Sequence, residues 1–244
     1  MQDLFELISS KTYPGRGIVV FHPNNQDKLF CAYWIMGRSE NSRNRVFEEC
    51  EGNLKTVPAD ASKVEDPHLI IYNARVGVPD KDVVVITNGD QTDTIVDFVK
   101  NFDDEKTAFM QSLMTRTFED DEPNFTPRIS CMINIRSGEV CFSSLKCANS
   151  QSETPLRNFS FYESVAQSQG YLLTTYVDDG DPLPSSNAEP IKITCDSQSL
   201  NMFKESLWTA LNDYNKISLY VEEIDLENAN PVQSFVNKYE KVEA

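Results

Sequence analysis

Histidine is scarce in this chain of 244 residues, which contains only His22 and His68. Each of the two stands beside a proline, and neither belongs to a recognisable Ser-His-Asp or Cys-His pattern. Nucleophilic catalysis assisted by histidine therefore has little support, and so does a metal site built from several histidines.

Paired cysteine motifs are also missing, although the chain has six cysteines. No CxxC occurs, and the spacings match neither a zinc site nor the disulfide framework of a secreted protein. Most of the cysteines lie in apolar runs such as LFCAYWIM and ISCMINI. We therefore expect buried thiols in a reducing compartment.

Long apolar runs are absent, since none approaches the ~18 residues of a membrane-spanning helix. The N-terminal MQDLFELISS lacks the basic region of a signal peptide. Apolar residues make up 40% and charged residues 25%, as in a globular protein. With no internal repeat and no long linker, the sequence predicts one cytoplasmic domain over residues 1–244.

Basic residues are in deficit, with 22 Lys and Arg against 38 Asp and Glu and a net charge of −16. This charge argues against nucleic acids and anionic membranes as main partners. Residues 11–46 are different, because this segment holds six basic and two acidic residues. Such a basic island predicts a site for a small anion, although solvated arginines on a loop are an alternative.

Apolar periodicity predicts a mixed α and β protein in which strands outnumber helices. We expect helices at 2–9, from Thr92 or Asp93 onward, at 104–117, at 198–213 and at 232–239. We expect strands at 17–21, 29–36, 68–74, 82–87, 128–135, 138–145, 170–177, 191–195 and 217–224, with loops at 37–45, 148–158 and 178–190. A layered α+β sandwich fits this pattern.

Polar clusters adjoin several of these strands, where a rigid frame holds side chains that remain accessible. Arginine is prominent among them, and its forked guanidinium matches the geometry of a phosphate. Over roughly residues 13–130, the segments YPGRG, AYWIMGRS…NR, IIYNARV, VVVITNGDQTD and FEDDEPNFTPRIS occur in this order. Together they resemble the archaeal-type IMP cyclohydrolases and their bacterial relatives.

The resemblance implies an α+β fold, a four-layer αββα sandwich similar to that of the N-terminal-nucleophile hydrolases. It implies ring closure of 5-formamidoimidazole-4-carboxamide ribonucleotide to IMP, with loss of water. Self-processing is not implied, because Gln2 follows Met1 where a Thr, Ser or Cys nucleophile would be needed. The attacking amide and the formyl carbon belong to one molecule, so no cofactor and no metal is expected.

The resemblance also assigns roles to three candidate catalytic residues. Tyr72 would donate a hydrogen bond to the formyl oxygen, Arg75 would add positive charge, and Glu119 would carry protons. Asp121 is the alternative proton carrier, since the acidic loop can be aligned differently. We expect the pKa of Glu119 to be raised by its acidic neighbours and by partial burial.

The candidates for substrate binding come from the same motifs. Arg16, Arg38 and Arg45 would bind the ribose phosphate. The base or the ribose would be held by Asn73, Asn88 and Thr126, and the remaining candidates are Ser39, Asn44, Gly89 and Arg128.

Two other functions stay open at this stage. One is a protein that binds purine nucleotides without catalysis, and the other is a hydrolase acting on another amide or formamide in the same fold. A small-molecule purine nucleotide is the expected partner. The sequence leaves open whether the chain forms a homo-oligomer.

Overall fold

The computed structural model describes residues 1–64, 67–148, 154–227 and 231–242. In chain order, the strands of these ranges are β1 (Gln2–Asp3), β2 (Gly17–His22), β3 (Lys28–Met36), β4 (Val46–Cys50), β5 (Asn53–Val57), β6 (Tyr72–Val78), β7 (Val83–Thr87), β8 (Arg128–Asn134), β9 (Val140–Cys147), β10 (Pro155–Tyr162), β11 (Gln169–Thr174), β12 (Ile191–Thr194), β13 (Lys216–Asp225) and β14 (Val232–Asn237). The α-helices are α1 (Leu4–Ser9), α2 (Glu40–Arg43), α3 (Pro67–Ile70), α4 (Gln91–Asn101), α5 (Glu105–Met114) and α6 (Leu200–Ala210).

The strands form two sheets of seven strands each. The first has the order β1-β12-β11-β2-β3-β13-β14, and the second has the order β10-β9-β8-β7-β6-β5-β4. Neighbouring strands are antiparallel throughout the second sheet, whereas the first contains one parallel pair, β1 with β12. Antiparallel neighbours explain why short turns suffice for most connections.

Three apolar clusters define how these elements are layered. The largest contains side chains of both sheets, among them Ile18 and Tyr33 of the first and Ile86 and Ile129 of the second. A second cluster joins the other face of the first sheet to α1 and α6, and a third joins the other face of the second sheet to α4 and α5. The chain is thus an α+β protein in which two sheets face each other and helices cover their outer faces.

The position of β3 explains its unbroken apolar sequence. Tyr33 points into the space between the sheets, while Trp34 points toward α6, and every residue from Leu29 to Met36 is buried. A strand covered on both faces reads as a continuous apolar run rather than an alternating one. This confirms the expected strand at 29–36.

Several predicted elements were wrong in type. The predicted helix at 232–239 is β14, which pairs along β13 because backbone pairing outweighs its weak helical pattern. The strand predicted at 68–74 begins only at Tyr72, after the helical turn α3. The predicted loop at 37–45 contains α2, where Ser39 and Ser42 cap each other's backbone. The loop predicted at 148–158 includes the start of β10, and its residues 149–153 lie outside the described ranges.

Other expectations need smaller corrections or hold. Helix α4 begins at Gln91 with Asp90 as its N-cap, two or three residues before the predicted cap, while Ile95, Val96 and Val99 are buried as expected. Strands β4 and β5 form a hairpin for which no element was predicted. Four thiols are buried, as expected: Cys31, Cys131, Cys141 and Cys195. No helix in the described part of the chain is long and apolar enough to cross a membrane.

Candidate active site

Arg16 immediately precedes β2 and is buried, and its guanidinium interacts electrostatically with Glu119 and with Tyr72. Its backbone N–H donates to Thr175 Oγ1 over 3.1 Å. Gly15 precedes it with a φ of +74°, and a Cβ there would meet Thr175 Oγ1 at 2.2 Å. The YPGRG segment therefore needs its first glycine to bring the Arg16 guanidinium into this position.

Glu119 lies opposite Arg16, in the loop after α5. Its backbone N–H donates to Thr126 O over 2.9 Å, and its Oε2 lies 3.7 Å from Arg16 Nη2. Only 5% of the residue is exposed. Burial raises the pKa of the Glu119 carboxyl above its ordinary value, while Arg16 and Arg128 oppose the shift. The direction agrees with the expectation, but the main cause is burial rather than the acidic neighbours.

Arg45 brings a second guanidinium to the same place. It follows α2, is 4% exposed, and interacts electrostatically with Arg16, Tyr72 and Glu119. Burial, followed by the charge of Arg16, lowers the pKa of Arg45. Within the described residues, Arg45 Nε and Nη1 and Arg16 Nε are buried without hydrogen-bond partners. Two buried cations with unused donors face one carboxyl, an arrangement suited to an anionic ligand.

Tyr72 opens β6 and faces the space between the sheets. Its hydroxyl is 2.8 Å from that of Tyr33, which lies on β3 of the opposite sheet. Only 5% of Tyr72 is exposed. Tyr72, Arg16, Arg45 and Glu119 together form what we call the arginine–glutamate cluster.

Thr126 borders this cluster and is held on two sides. Its Oγ1 hydrogen-bonds both the Asp121 carboxylate and the Tyr176 hydroxyl. Asp121 also accepts from the Thr126 backbone N–H over 2.6 Å. The ring of Tyr176 stacks on Tyr13 with centroids 6.0 Å apart. The Asp121 carboxylate is thus committed to the acidic loop, whereas Glu119 faces arginines.

Arg38 lies farther out, with about a third of its side chain exposed. It forms an ion pair with Asp179 and donates to Gly180 O over 2.8 Å. Its guanidinium also sits 5.2 Å from the centre of the Tyr13 ring. Tyr13 connects Arg38 to Tyr176 at the border of the cluster. The Arg38 guanidinium is paired with the Asp179 carboxylate.

The structure places Arg75 apart from the cluster. Its guanidinium forms a two-pronged ion pair with Glu222 of β13 and donates to Gly52 O over 3.0 Å. Tyr220 donates to the same Glu222 carboxylate over 3.1 Å. These contacts make Arg75 part of a buried ion pair that joins the two sheets.

Three of the other sequence-based candidates, Ser39, Asn44 and Asn88, bind backbone groups. Asn44 exchanges two hydrogen bonds with the main chain of Asp60. Asn88 donates to Pro127 O and accepts from Ile129 N–H, which ties the loop after β7 to the start of β8. Elsewhere, Ser39 caps α2, Asn73 donates to Asp93 on the outer face of the second sheet, and Arg128, beside Gly89, binds Gln91 and Asp90.

Three tyrosines near the cluster were not among the candidates. Tyr33 contacts Tyr72, Tyr176 contacts Thr126, and Tyr13 lies beneath Arg38. Tyr13 and Tyr33 occur inside the motifs YPGRG and AYWIM, so the motifs already indicated that these positions lie near the site. Sequence alone gave no reason to separate them from ordinary core tyrosines.

The described residues contain no group of three or more His, Cys, Asp or Glu side chains placed to hold a metal ion. Both ring nitrogens of His22 lie within hydrogen-bond distance of main-chain carbonyls, 2.7 Å from Val165 O and 2.8 Å from Gln26 O. His22 thus joins two loops.

Comparison with known proteins shows which family the chain belongs to. The family model described as IMP cyclohydrolase-like protein matches residues 13–228. The chain belongs to this family. This confirms the resemblance drawn from the motifs, and the match includes every member of the arginine–glutamate cluster.

Three curated relatives of this IMP cyclohydrolase-like chain come from archaea. A protein named IMP cyclohydrolase from Methanococcus aeolicus is 32% identical over 122 residues, which cover 50% of this chain and 58% of the relative. IMP cyclohydrolases from Methanosphaera stadtmanae and Methanocella arvoryzae are each 29% identical, again over 58% of the relative. The chain therefore spans less than two thirds of the length of these relatives.

Proposed function

We propose that this protein is an IMP cyclohydrolase, which closes the ring of 5-formamidoimidazole-4-carboxamide ribonucleotide to give IMP and water in purine biosynthesis. The observation that carries the proposal is the arginine–glutamate cluster. It combines unpaired cationic donors, a phenol and a carboxyl with a raised pKa in a chain of the IMP cyclohydrolase-like family.

The reaction requires orientation and proton movement. The carboxamide nitrogen attacks the formyl carbon of the same molecule, a tetrahedral carbinolamine forms, and water leaves. Freezing the reactive conformer can supply several kcal/mol of the barrier. A positioned acid or base typically adds about 10²–10⁴-fold in rate.

Each cluster residue has a task in this scheme. Tyr72 donates to the formyl oxygen as negative charge develops on it. Arg45 and Arg16 direct their unpaired N–H groups at substrate oxygens in the water-poor space between the sheets. Arg38, which is more exposed, binds the ribose phosphate after exchanging Asp179 for it. Thr126 lies at the border and contacts the ribose or base.

Glu119 is the proton carrier of the proposal. A carboxyl whose pKa is raised by burial can take the amide proton and return one to the leaving hydroxyl near neutral pH. Arg16, at 3.7 Å, stabilises the ionised form of Glu119 before it takes the amide proton and after it returns one. Asp121 is less suited, because its oxygens already accept two hydrogen bonds from Thr126.

We also infer that the layered architecture is that of an N-terminal-nucleophile hydrolase without self-processing, and that the chain acts as one domain. Two face-to-face sheets with helices on both outer faces support this relation. The cluster draws on both sheets, so the site depends on their packing as a unit.

A second candidate is a nucleotide-binding protein without catalysis. It is favoured by the occlusion of the cluster, since Tyr72 and Glu119 are each 5% exposed. A substrate reaches them only if the surrounding side chains move.

The deciding experiment mixes the pure protein with the formylated ribonucleotide and follows IMP by absorbance and chromatography. We expect enzyme-dependent formation of IMP in proportion to protein concentration. Calorimetry with IMP runs in parallel. Tight binding of IMP without turnover would support the binding protein, and neither binding nor turnover would reject both functions.

A further inference from the structure

Tyr33 is buried directly behind Tyr72 and has no role in the scheme above. Its side chain is fully buried in the apolar cluster between the two sheets. The ring packs against Phe47 with centroids 5.7 Å apart, and Tyr220 is its cross-strand neighbour on β13. These contacts fix the ring, and with it the place of the hydroxyl.

The hydroxyl of Tyr33 has one partner among the described residues, Tyr72 Oη at 2.8 Å. Burial, then the neighbouring Tyr72, raises the pKa of Tyr33 well above its ordinary value, so its hydroxyl keeps its proton. A buried hydroxyl proton without an acceptor is costly, whereas an unused oxygen lone pair costs less. The geometry allows either hydroxyl to donate. Because Tyr33 is fully buried whereas 5% of Tyr72 is exposed, the less costly arrangement has Tyr33 donating its proton to Tyr72 Oη.

This arrangement decides where the proton of Tyr72 can go. Once Tyr72 Oη accepts from Tyr33, its own O–H is directed away from Tyr33. Accepting one hydrogen bond also strengthens a hydroxyl as a donor in the next. The guanidiniums of Arg16 and Arg45, which interact electrostatically with Tyr72, do not accept hydrogen bonds. A substrate oxygen is then the natural acceptor.

We propose that Tyr33 is a positioning residue that directs the Tyr72 hydroxyl proton at the substrate. Tyr33 donates to Tyr72 Oη, and Tyr72 donates to the oxygen on which negative charge develops. This role rests on the proposed function, because it concerns the donor used in ring closure.

A double-mutant cycle tests the proposal with the wild type, Tyr33→Phe, Tyr72→Phe and the double variant. We expect Tyr33→Phe to lower kcat about 10-fold or more, since a misdirected group costs up to ~10²-fold. KM should change little. In the Tyr72→Phe background the same substitution should have almost no further effect on kcat, because the hydroxyl it directs is gone.

The matched control is Tyr220→Phe, which removes another buried hydroxyl from the apolar cluster between the sheets, one that donates to Glu222. It should lower stability while leaving kcat near that of the wild type. A role of Tyr33 in packing alone would give equal losses of kcat in both backgrounds, or no loss, and either result would overturn the proposal.

A measurement on the unmodified chain covers the case in which Tyr33→Phe does not fold. We expect NMR to show a slowly exchanging Tyr33 hydroxyl proton close to the Tyr72 ring, and a proton on Tyr72 bonded toward Tyr33 would contradict the assignment. An inactive wild type rejects the proposed function and this role together. An active wild type with unaffected Tyr33→Phe rejects this role alone.

Discussion

Arg16 Nη2 lies 3.7 Å from Glu119 Oε2, and both side chains are more than nine-tenths buried. The distance is longer than that of a tight charge-assisted hydrogen bond, so the two charges attract each other without forming a direct hydrogen bond. With Arg45 nearby, the cluster holds two cations and one carboxyl. An incoming anion would therefore complete the charge balance and need not break an existing tight pair.

Replacement of Glu119 tests its role as proton carrier. Glu119→Gln keeps the shape and removes the titration, so we expect kcat to fall by about 10²-fold or more. Binding of IMP, measured by calorimetry, should stay within a few-fold of the wild type. A fall in IMP affinity with unchanged kcat would instead make Glu119 a binding residue.

Two neighbouring acids serve as controls in the same assay. Asp120→Asn changes the exposed residue beside Glu119 and should leave kcat unchanged. Asp121→Asn disturbs the hydrogen bonds to Thr126 and should lower stability more than kcat. If only Asp121→Asn abolished turnover, the proton carrier would be Asp121.

The raised pKa of Glu119 makes stability depend on pH in a defined direction. Its carboxyl binds a proton more tightly in the folded state than in the unfolded state, because burial disfavours the charged form. The stability that protonated Glu119 contributes is complete at pH values below its pKa in the unfolded chain. That contribution is lost as pH rises through the pKa of Glu119 in the folded protein. Denaturant titrations from pH 4 to 8 should show wild type losing stability relative to Glu119→Gln across that window, and a gain would contradict the sign.

Arg38 offers a test of phosphate binding at the outer border. Arg38→Ala should raise KM about 10-fold or more, because a charge-assisted hydrogen bond contributes about 1.5–3 kcal/mol. Its effect on Tm should be small, since exposed ion pairs contribute only ~0–1 kcal/mol. Asp179→Asn, which releases Arg38 from its present partner, should lower KM. A large loss of stability with unchanged KM would mark Arg38 as structural.

The buried thiols predict resistance to thiol reagents. Burial raises the pKa of Cys141 and of Cys195 to about 12, so few thiolates form at neutral pH. Native protein should therefore keep its activity when treated with a thiol-blocking reagent, and also with a chelator. Circular dichroism on the same samples separates a chemical effect from unfolding. Loss of activity restored by one added metal would overturn the mechanism.

Local sequence pattern predicted the central strands well and the C-terminal strand poorly. β3 and β7 are covered on both faces, so burial alone made them apolar and recognisable. β14 has no fully buried side chain and forms by antiparallel pairing with the preceding strand, β13. Such pairing leaves little trace in composition, and the helical interpretation of 232–239 failed for that reason.

Some of the candidate site residues could be predicted from sequence, and others could not. Arg16, Arg45, Tyr72 and Glu119 come from motifs more than a hundred residues apart at their extremes, yet the structure brings them together. Arg75 lies only three residues after Tyr72, but its guanidinium is held by the Glu222 carboxylate and by Gly52 O. These partners, which the sequence does not reveal, place the Arg75 guanidinium outside the arginine–glutamate cluster.

The last prediction concerns the stability contributed by the buried ion pair of Arg75 with Glu222. Glu222→Gln leaves the buried Arg75 guanidinium without a charged partner and should destabilise the protein by about 3–5 kcal/mol in denaturant unfolding. The neighbouring Glu223→Gln breaks a partly exposed pair with Lys28 and should cost no more than ~1 kcal/mol. Both variants should keep kcat and KM per folded molecule near the wild type, because the ion pair lies apart from Tyr72. A selective fall of kcat in Glu222→Gln, with the fold intact, would support the catalytic role expected for Arg75, because Glu222 holds the Arg75 guanidinium in place by charge.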